Sequence, residues 1–340
     1  MAGCLNPLKS TTTNKTFKTQ SKLNYELFDT FSTVVSYAED DKEVFEKNAN
    51  DVYSLLGEYH KLFDIYYEYE GVVNLKTINK NAGKEALVVD KKLIDFLLYT
   101  KEIYELTNGE TNVMMGAVLK LWHDARTDGI TNPLKAKLPD VKLLEEANLH
   151  VSIDSLEIDE VNNTVRISDP NASIDVGAIG KGYATEQAGK LLESRNVNSY
   201  VLNIGGNIRI VGTKPDGTGW NTGVKNPFSN VEPSKPYSLY LNISDISCVT
   251  SGTYERYYIV DDKQYHHIID KDTLMPSTYF SSLTILTKDS GLADALSTSL
   301  FCMSYEEGLK IIEKIGNVEA IWIFNDGNVV YTDGVNPIDL

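Results

Sequence analysis

Asp294 and Thr298 stand four residues apart in L-A-D-A-L-S-T (292–298). On a helix that spacing points a carboxylate and a hydroxyl the same way. Two hard oxygen donors suit Mg2+, which binds few protein oxygens and completes its shell with water and substrate phosphates. The same pair also fits a solvated helix face. Its neighbours Leu292, Ala293, Ala295, Leu296, Leu300 and Phe301 are apolar, however, and argue for a buried, partnered carboxylate. A second stretch, D-V-G-A-I-G-K-G-Y (175–183), places three glycines around Lys181, ahead of a helical pattern. Glycines let a backbone approach a ligand, and a helix N-terminus offers free amides to an anion. Either the loop cradles a phosphate with Lys181 as a point charge, or it is a tight strand-to-helix turn with an exposed lysine. It is not a P-loop: only Ala178 and Ile179 separate Gly177 from Gly180, and Gly182 stands where Ser or Thr belongs.

Three further segments carry candidate groups. V-L-N-I-G-G-N-I-R-I (201–210) reads as a strand in which Gly205 and Gly206 mark a bulge or a close backbone approach. Asn203 and Asn207 would flank a ligand there, or the glycines serve packing alone. In T-S-G-T-Y-E-R-Y (250–257), Thr250, Ser251 and Gly252 either donate to a phosphate or ribose or form a turn. In Y-H-H-I-I-D (265–270), His266 and His267 face opposite sides of a strand, so at most one of them enters a given site.

These groups need elements to position them. Residues 23–38 alternate as a first strand. Residues 39–66 place Val44, Phe45, Val52, Leu55, Leu56, Tyr59, Leu62 and Phe63 at helical spacing, and the pattern recurs over 84–106 and 113–124. Hairpins are expected at 157–167, 257–269 and 320–332, the last around Asp326-Gly327. Ser304 with Glu307 forms a capping box that opens a helix over 305–315. Helices and hairpins mix without a βαβ rhythm, so the fold class is α+β.

The 340-residue chain has a net charge of −16, which argues against a nucleic-acid partner. An acidic chain that holds a phosphate compound needs glycine amides, a local lysine or a bridging metal ion. Cys4, Cys248 and Cys302 are too few for a disulfide framework and have no zinc spacing. No run is long enough for a membrane-spanning helix. The start, M-A-G-C followed by a Ser/Thr/Asn/Lys-rich stretch, resembles the end of a bacterial lipoprotein signal whose apolar part has been removed. That implies lipidation at Cys4, a tether over 1–22, and a location on the outer face of the cytoplasmic membrane. A chance cysteine in an unstructured start is the alternative.

Taken together, segments 175–183, 202–208, 250–256, 265–276 and 293–298 resemble, in order and spacing, the ApbE family of FAD:protein FMN transferases. The resemblance runs from about residue 24 to the C-terminus. It implies a single T-fold-like, two-lobed α+β domain over 23–340 with an FAD cleft between the lobes. It also implies Mg2+-dependent splitting of FAD, with FMN transferred to a Thr or Ser hydroxyl of an exported acceptor and AMP released. The acceptor would be an electron-transfer flavoprotein carrying a D/S-G-x-T-type motif. Matched onto this chain, Asp294 and Thr298 are metal ligands, joined by a backbone carbonyl of Ala178 or Gly180. His267 assists deprotonation of the acceptor, with Asp294 the other catalytic group. Gly180, Lys181, Gly205, Gly206, Ser251 and Gly252 surround FAD, and Asn79 and Asn112 fall in upstream cleft segments. The family's D-P-x-T-G-x-P reads Asp270-Lys271-Asp272-Thr273-Leu274-Met275-Pro276 here, which bears on the turn beside His267, and Glu186 replaces the usual Asp. Asp128-Gly129-Ile130-Thr131 only faintly resembles the acceptor motif. An FAD pyrophosphatase and a non-catalytic FAD-binding lipoprotein remain the alternatives.

Overall fold

Eight strands that follow one another along the chain also lie side by side in that order: Lys18–Asn24, Ser32–Ala38, Tyr200–Ile204, Asn207–Val211, Ser247–Gly252, Phe280–Thr287, Glu319–Phe324 and Val329–Tyr331. Every neighbouring pair is antiparallel. Apart from the last strand, Pro337–Ile338, the other elements are insertions between consecutive strands of this sheet. The computed structural model describes residues 18–38 and 41–339.

The two-residue period of the strands sorts their side chains onto two cores. Leu283 and Ile285 pack with Ala293, Leu296, Leu300 and Phe301 of the helical side. Leu286 faces the other way, where Val224, Leu241 and Val335 cover the sheet. That second layer is a three-stranded sheet of Trp220–Lys225, Tyr237–Ile243 and Pro337–Ile338. The helical layer contains Lys42–Phe63, Gly180–Glu193, Ser290–Ser299 and Tyr305–Ile315. Asp289 caps the third of these by accepting from the Leu292 amide at 2.9 Å, and Ser304 with Glu307 closes the expected capping box on the fourth. A smaller lobe is built from helices Gly116–Thr131 and Val141–Asn148 and the hairpin Tyr257–Val260/Lys263–His266. Its core joins Met115, Val118, Trp122, Leu144, Tyr258, Ile269 and Leu274, and the Trp122 indole donates to the Leu274 carbonyl at 2.9 Å.

Several expectations shift. The first strand over 23–38 is two strands: residues 25–31 form a connection in which Phe28 and Asp29 adopt positive φ. The tether boundary at residue 22 also moves, because Lys18–Asn24 pairs along its length with Ser32–Ala38. An edge strand is held by its ladder and needs no apolar run, so K-T-Q-S-K-L-N gives no hydrophobic signal. Gly205 and Gly206 are not a bulge within one strand. They are the two-residue turn of a hairpin, with φ of 58° and 92° that suit glycine. The helix expected over 84–106 begins at Lys91, capped by Asp90, and the one expected over 113–124 runs Gly116–Thr131. Asp128-Gly129-Ile130-Thr131 is therefore its last turn, with Gly129 packed against the Tyr258 ring. Cys4 lies outside the described residues; Cys248 and Cys302 are buried thiols. No helix among the described residues is long and apolar enough to cross a membrane.

Candidate active site

Helices Gly180–Glu193 and Ser290–Ser299 touch at Gly182. A Cβ there would clash with Asp294 Cβ and with the Ser290 carbonyl, so only glycine permits the approach. The contact lets the Gly182 amide donate to Asp294 Oδ2 at 2.7 Å. In a regular helix this amide would bond back to the Ala178 carbonyl. Its diversion leaves that carbonyl with no backbone donor among the described residues. Lys181 Nζ lies 3.7 Å from Asp294 Oδ1 and 3.4 Å from Asn207 Oδ1. The Asn207 amide also approaches the Asp294 carboxylate, yet its buried Nδ2 has no hydrogen-bond partner. Burial raises the Asp294 pKa, opposed by Lys181, the Gly182 amide and Asn207.

Thr298, one turn on from Asp294, faces the adjacent strand. Its Oγ1 is 3.4 Å from Ser251 Oγ, which is itself 2.8 Å from Ser297 Oγ. The donor set is a carboxylate oxygen, a hydroxyl and a free carbonyl at Ala178. All are hard oxygens, and they are few enough to leave room for water and phosphate, which fits Mg2+. Gly180 lies within the helix, where its carbonyl serves the helical ladder, so Ala178 is the better donor. No group of three or more His, Cys, Asp or Glu side chains able to hold a metal ion occurs among the described residues.

The loop ahead of Gly180 is tied down from several sides. Asn79 donates to the Ile174 carbonyl at 2.9 Å and accepts from the Ile174 amide at 2.7 Å. The Asp175 amide donates to Val113 O at 2.8 Å. Asn112 bridges Val151 O and the Met114 amide at 2.8 and 2.9 Å. Both asparagines thus have their amide groups engaged with the backbone and act on the site through the loop they hold. Gly205 donates to Phe31 O at 3.0 Å, and a side chain on it would collide with Thr30. Gly206 faces open space. Their turn props up the 25–31 connection and delivers Asn207 beside Lys181. Gly252 is buried against the Tyr254 ring.

Glu186 fastens the two helices further along. Its Oε2 accepts from the Ser290 amide at 3.0 Å and from Arg209 Nε at 3.1 Å. Arg209 is fully buried and also meets Glu193 and the Ile210 carbonyl. Burial raises the Glu186 pKa, while the Ser290 amide and Arg209 pull it down.

From Lys181 a cleft of about 340 Å3 opens outward, lined by Phe28, His60, Asp64, Tyr66, Tyr67, Tyr69, Asp175, Gly177, Gly180 and Arg256. One hydrogen-bonded chain fixes its aromatic wall. The Phe28 amide donates to His60 Nδ1 at 3.2 Å, His60 Nε2 meets Tyr69 Oη at 3.3 Å, and Tyr69 donates to Asp64 Oδ2 at 2.7 Å. Asp64 Oδ1 accepts from the Tyr66 and Tyr67 amides at 2.7 and 2.9 Å, which turns both rings. Tyr66 Oη and the Arg126 guanidinium meet on His123 Nδ1 at 3.3 and 3.2 Å. Arg126 and Arg256 have no carboxylate within ion-pair distance among the described residues. Asp175 interacts electrostatically with both, and its own pKa is raised by burial.

His267 sits beside these arginines, its Nδ1 3.2 Å from the Arg256 carbonyl. A carbonyl only accepts, so Nδ1 carries the proton and Nε2 is the free base. Burial, then Arg256, Arg126 and His266, lower its pKa to about 3. His266 turns to the opposite side and is held at 2.8 Å by the Ser277 carbonyl. Gly180, Lys181, Asn207, Ser251, Asp294 and Thr298 are thus one contiguous group, and His267 reaches the same cleft through Arg256. The aromatic wall and Arg126 were not singled out from sequence. Asp64 followed by Tyr66, Tyr67 and Tyr69 was the available signal.

The chain is similar to known proteins along most of its length. The model of the ApbE family matches residues 28–322. An FAD:protein FMN transferase of Treponema pallidum (strain Nichols) is 30% identical over 275 residues, covering 77% of this chain and 73% of that protein. One from Klebsiella pneumoniae (strain 342) is 26% identical over 286 residues, covering 84% of each. The crystal structure of the ApbE protein of Thermotoga maritima superposes with a TM-score of 0.79 at 26% identity, over 93% of this chain and 97% of that one. The flavin transferase ApbE of Vibrio cholerae shares the fold at 21% identity and a TM-score of 0.76, over 93% and 97%. By the extent of the family match and by the relative from Treponema, this chain belongs to the ApbE family.

Proposed function

We propose that this chain is an FAD:protein FMN transferase that moves FMN from FAD to a Thr or Ser hydroxyl of an acceptor protein and releases AMP. The observation that carries this is the buried Asp294 carboxylate, held by the Gly182 amide and facing Lys181 at the inner end of an aromatic cleft. The activity named for its relatives supports the same reading.

Asp294, Thr298 and the Ala178 carbonyl would hold Mg2+, which when bound offsets the diphosphate charge and polarises its P–O bonds. The residues of the chain do the rest. The helix that starts at Gly180 presents its first amides and Lys181 to the diphosphate. The tyrosines of the cleft wall offer flat apolar surface to the flavin and adenine rings. The acceptor oxygen bonds to the FMN phosphorus, and the bond from that phosphorus to the bridging oxygen breaks. AMP leaves with the bridging oxygen. His267 Nε2 takes the hydroxyl proton, since a neutral alcohol is a poor nucleophile. In the free protein burial, and after it two guanidiniums, hold the His267 pKa down, and the arriving diphosphate counters the guanidinium part of that shift.

The acceptor is an exported flavoprotein of an electron-transfer chain with a D/S-G-x-T-type motif, and Cys4 carries a lipid that anchors the enzyme at the outer membrane face. M-A-G-C and the polar stretch behind it support the anchor, and metabolic labelling with palmitate, lost in Cys4→Ser, tests it.

The central test incubates the protein with FAD, Mg2+ and an acceptor domain containing D-G-A-T, then weighs the acceptor by mass spectrometry. The acceptor gains one FMN, and Asp294→Ala lowers the rate by about a thousandfold or more, several kcal/mol of transition-state stabilisation. AMP release with an unmodified acceptor would make the protein a pyrophosphatase instead. Intact FAD with no AMP would make it a binding protein.

A further inference from the structure

The two oxygens of Asp294 are treated differently. Oδ2 is committed to the Gly182 amide at 2.7 Å, whereas Oδ1 faces the Lys181 ammonium at 3.7 Å, with the Asn207 side chain beside the carboxylate. That distance is beyond a hydrogen bond but well inside Coulombic reach. The Asp294 side chain is 6% exposed and that of Lys181 22%. A carboxylate so deeply buried needs a counter-charge in every state of the protein. Lys181 is the one that stands there, on a flexible four-carbon stem whose end also lines the open cleft. A divalent ion at Oδ1 and an ammonium at 3.7 Å would repel each other, so both cannot keep these places. A second feature points the same way. Asn207 is 2% exposed, its Oδ1 is 3.4 Å from Lys181 Nζ, and its buried Nδ2 approaches the Asp294 carboxylate without completing a hydrogen bond to it. A buried donor left short of its acceptor has room for an incoming oxygen.

We propose that Lys181 is an exchangeable counter-ion: it neutralises Asp294 in the metal-free protein and passes to the diphosphate of the dinucleotide when a divalent ion takes its place. This rests on Asp294 being the metal ligand of the transferase site. The exchange couples the two ligands. Metal alone must displace an ammonium that has nowhere equally good to go, and a bound diphosphate supplies that place. Metal and FAD therefore bind synergistically, each raising the affinity for the other by the same factor.

Mn2+ serves as the probe, titrated into the full chain with and without FAD and followed by the EPR signal of the free ion; Mg2+ is read by competition. In the wild type, FAD raises Mn2+ affinity about tenfold or more. Lys181→Met binds Mn2+ about tenfold tighter than wild type without FAD, because no ammonium competes, and the synergy disappears. Lys181→Gln moves the same way, and Lys181→Arg, which keeps the charge, stays near wild type. Weaker or unchanged Mn2+ binding in both neutral variants overturns the exchange, as does wild-type Mn2+ affinity that ignores FAD. Asp294→Asn separates the two layers: if it binds Mn2+ undiminished, the metal assignment itself fails. Acceptor modification is not read in any arm, so absence of transfer cannot mimic either result.

Discussion

The two ends of the cleft are built on different physical terms. At the inner end, Gly182, Asp294 and Glu186 lie in two helices pressed together, and the Asp294 and Glu186 carboxylates are fixed by backbone amides and by the buried Arg209. At the outer end, Tyr66, Tyr67 and Arg256 line the cleft with Arg126 and His267 beside them; they come from a connection, a helix and the residues that flank the hairpin of the smaller lobe. There, guanidiniums stand without carboxylate partners. The inner end is closely packed and fixed by buried hydrogen bonds, so it resists change. The outer end has unmatched charge and exposed rings, which suits surfaces that arrive and leave. Substitutions should divide accordingly, with stability lost at the inner end and substrate handling lost at the outer.

The largest effect is expected at Glu186. Glu186→Ala removes a buried partner of Arg209 and frees the Ser290 amide, so stability falls by about 3 kcal/mol or more in urea unfolding. Metal affinity weakens with it. A loss below about 1 kcal/mol would mean that Arg209 is satisfied without Glu186 and that the helix pair is not clamped as described.

His267 comes next. His267→Gln lowers transfer by about 10^2- to 10^3-fold at neutral pH while leaving stability there nearly unchanged. The pH dependence has a definite sign. With its pKa lowered from 6.5 to about 3, the folded protein refuses a proton that the unfolded chain accepts. Stability therefore declines as pH falls from about 6.5 towards 3, and the Gln variant lacks that component of the slope. Parallel declines in the two proteins would show that His267 is not held neutral.

The smallest effect belongs to the aromatic wall. Tyr67→Ala costs about 1 kcal/mol of FAD binding, seen as a several-fold rise in KM with kcat and melting temperature unmoved. If the melting temperature falls instead, the wall is part of the core and the contrast between the two ends is weaker than drawn.

The same contrast explains what could be read in advance. Asp294 and Thr298 were legible because helical spacing is local, and the glycine loop because Gly182 has no substitute where two helices touch. The aromatic wall depends on Asp64 turning a short connection through two backbone amides, and no periodicity betrays that. Of the two readings of Gly205-Gly206, the close backbone approach is met where Gly205 abuts Thr30, and the bulge is instead a hairpin turn, which apolar strands on both sides conceal. Asn79 and Asn112 were placed near the ligand, and their engagement with Ile174, Val151 and Met114 could not be seen without the distant backbone.

The order of the main sheet also bears on how the chain is made. Ser32–Ala38 pairs with Tyr200–Ile204, so its neighbour is synthesised only after the cleft wall, both lobe helices and the glycine loop. Closing so long a loop costs little more at equilibrium than a shorter one, because the entropy grows with the logarithm of length. Kinetically it is slow, since a non-local pairing must wait for its partner. The C-terminal strands are joined by much shorter excursions and can assemble first. By loop length alone, the N-terminal hairpin is expected to dock last, onto a sheet edge already formed, after Asp294 and Gly182 have met, an order that pulsed hydrogen exchange during refolding reads directly.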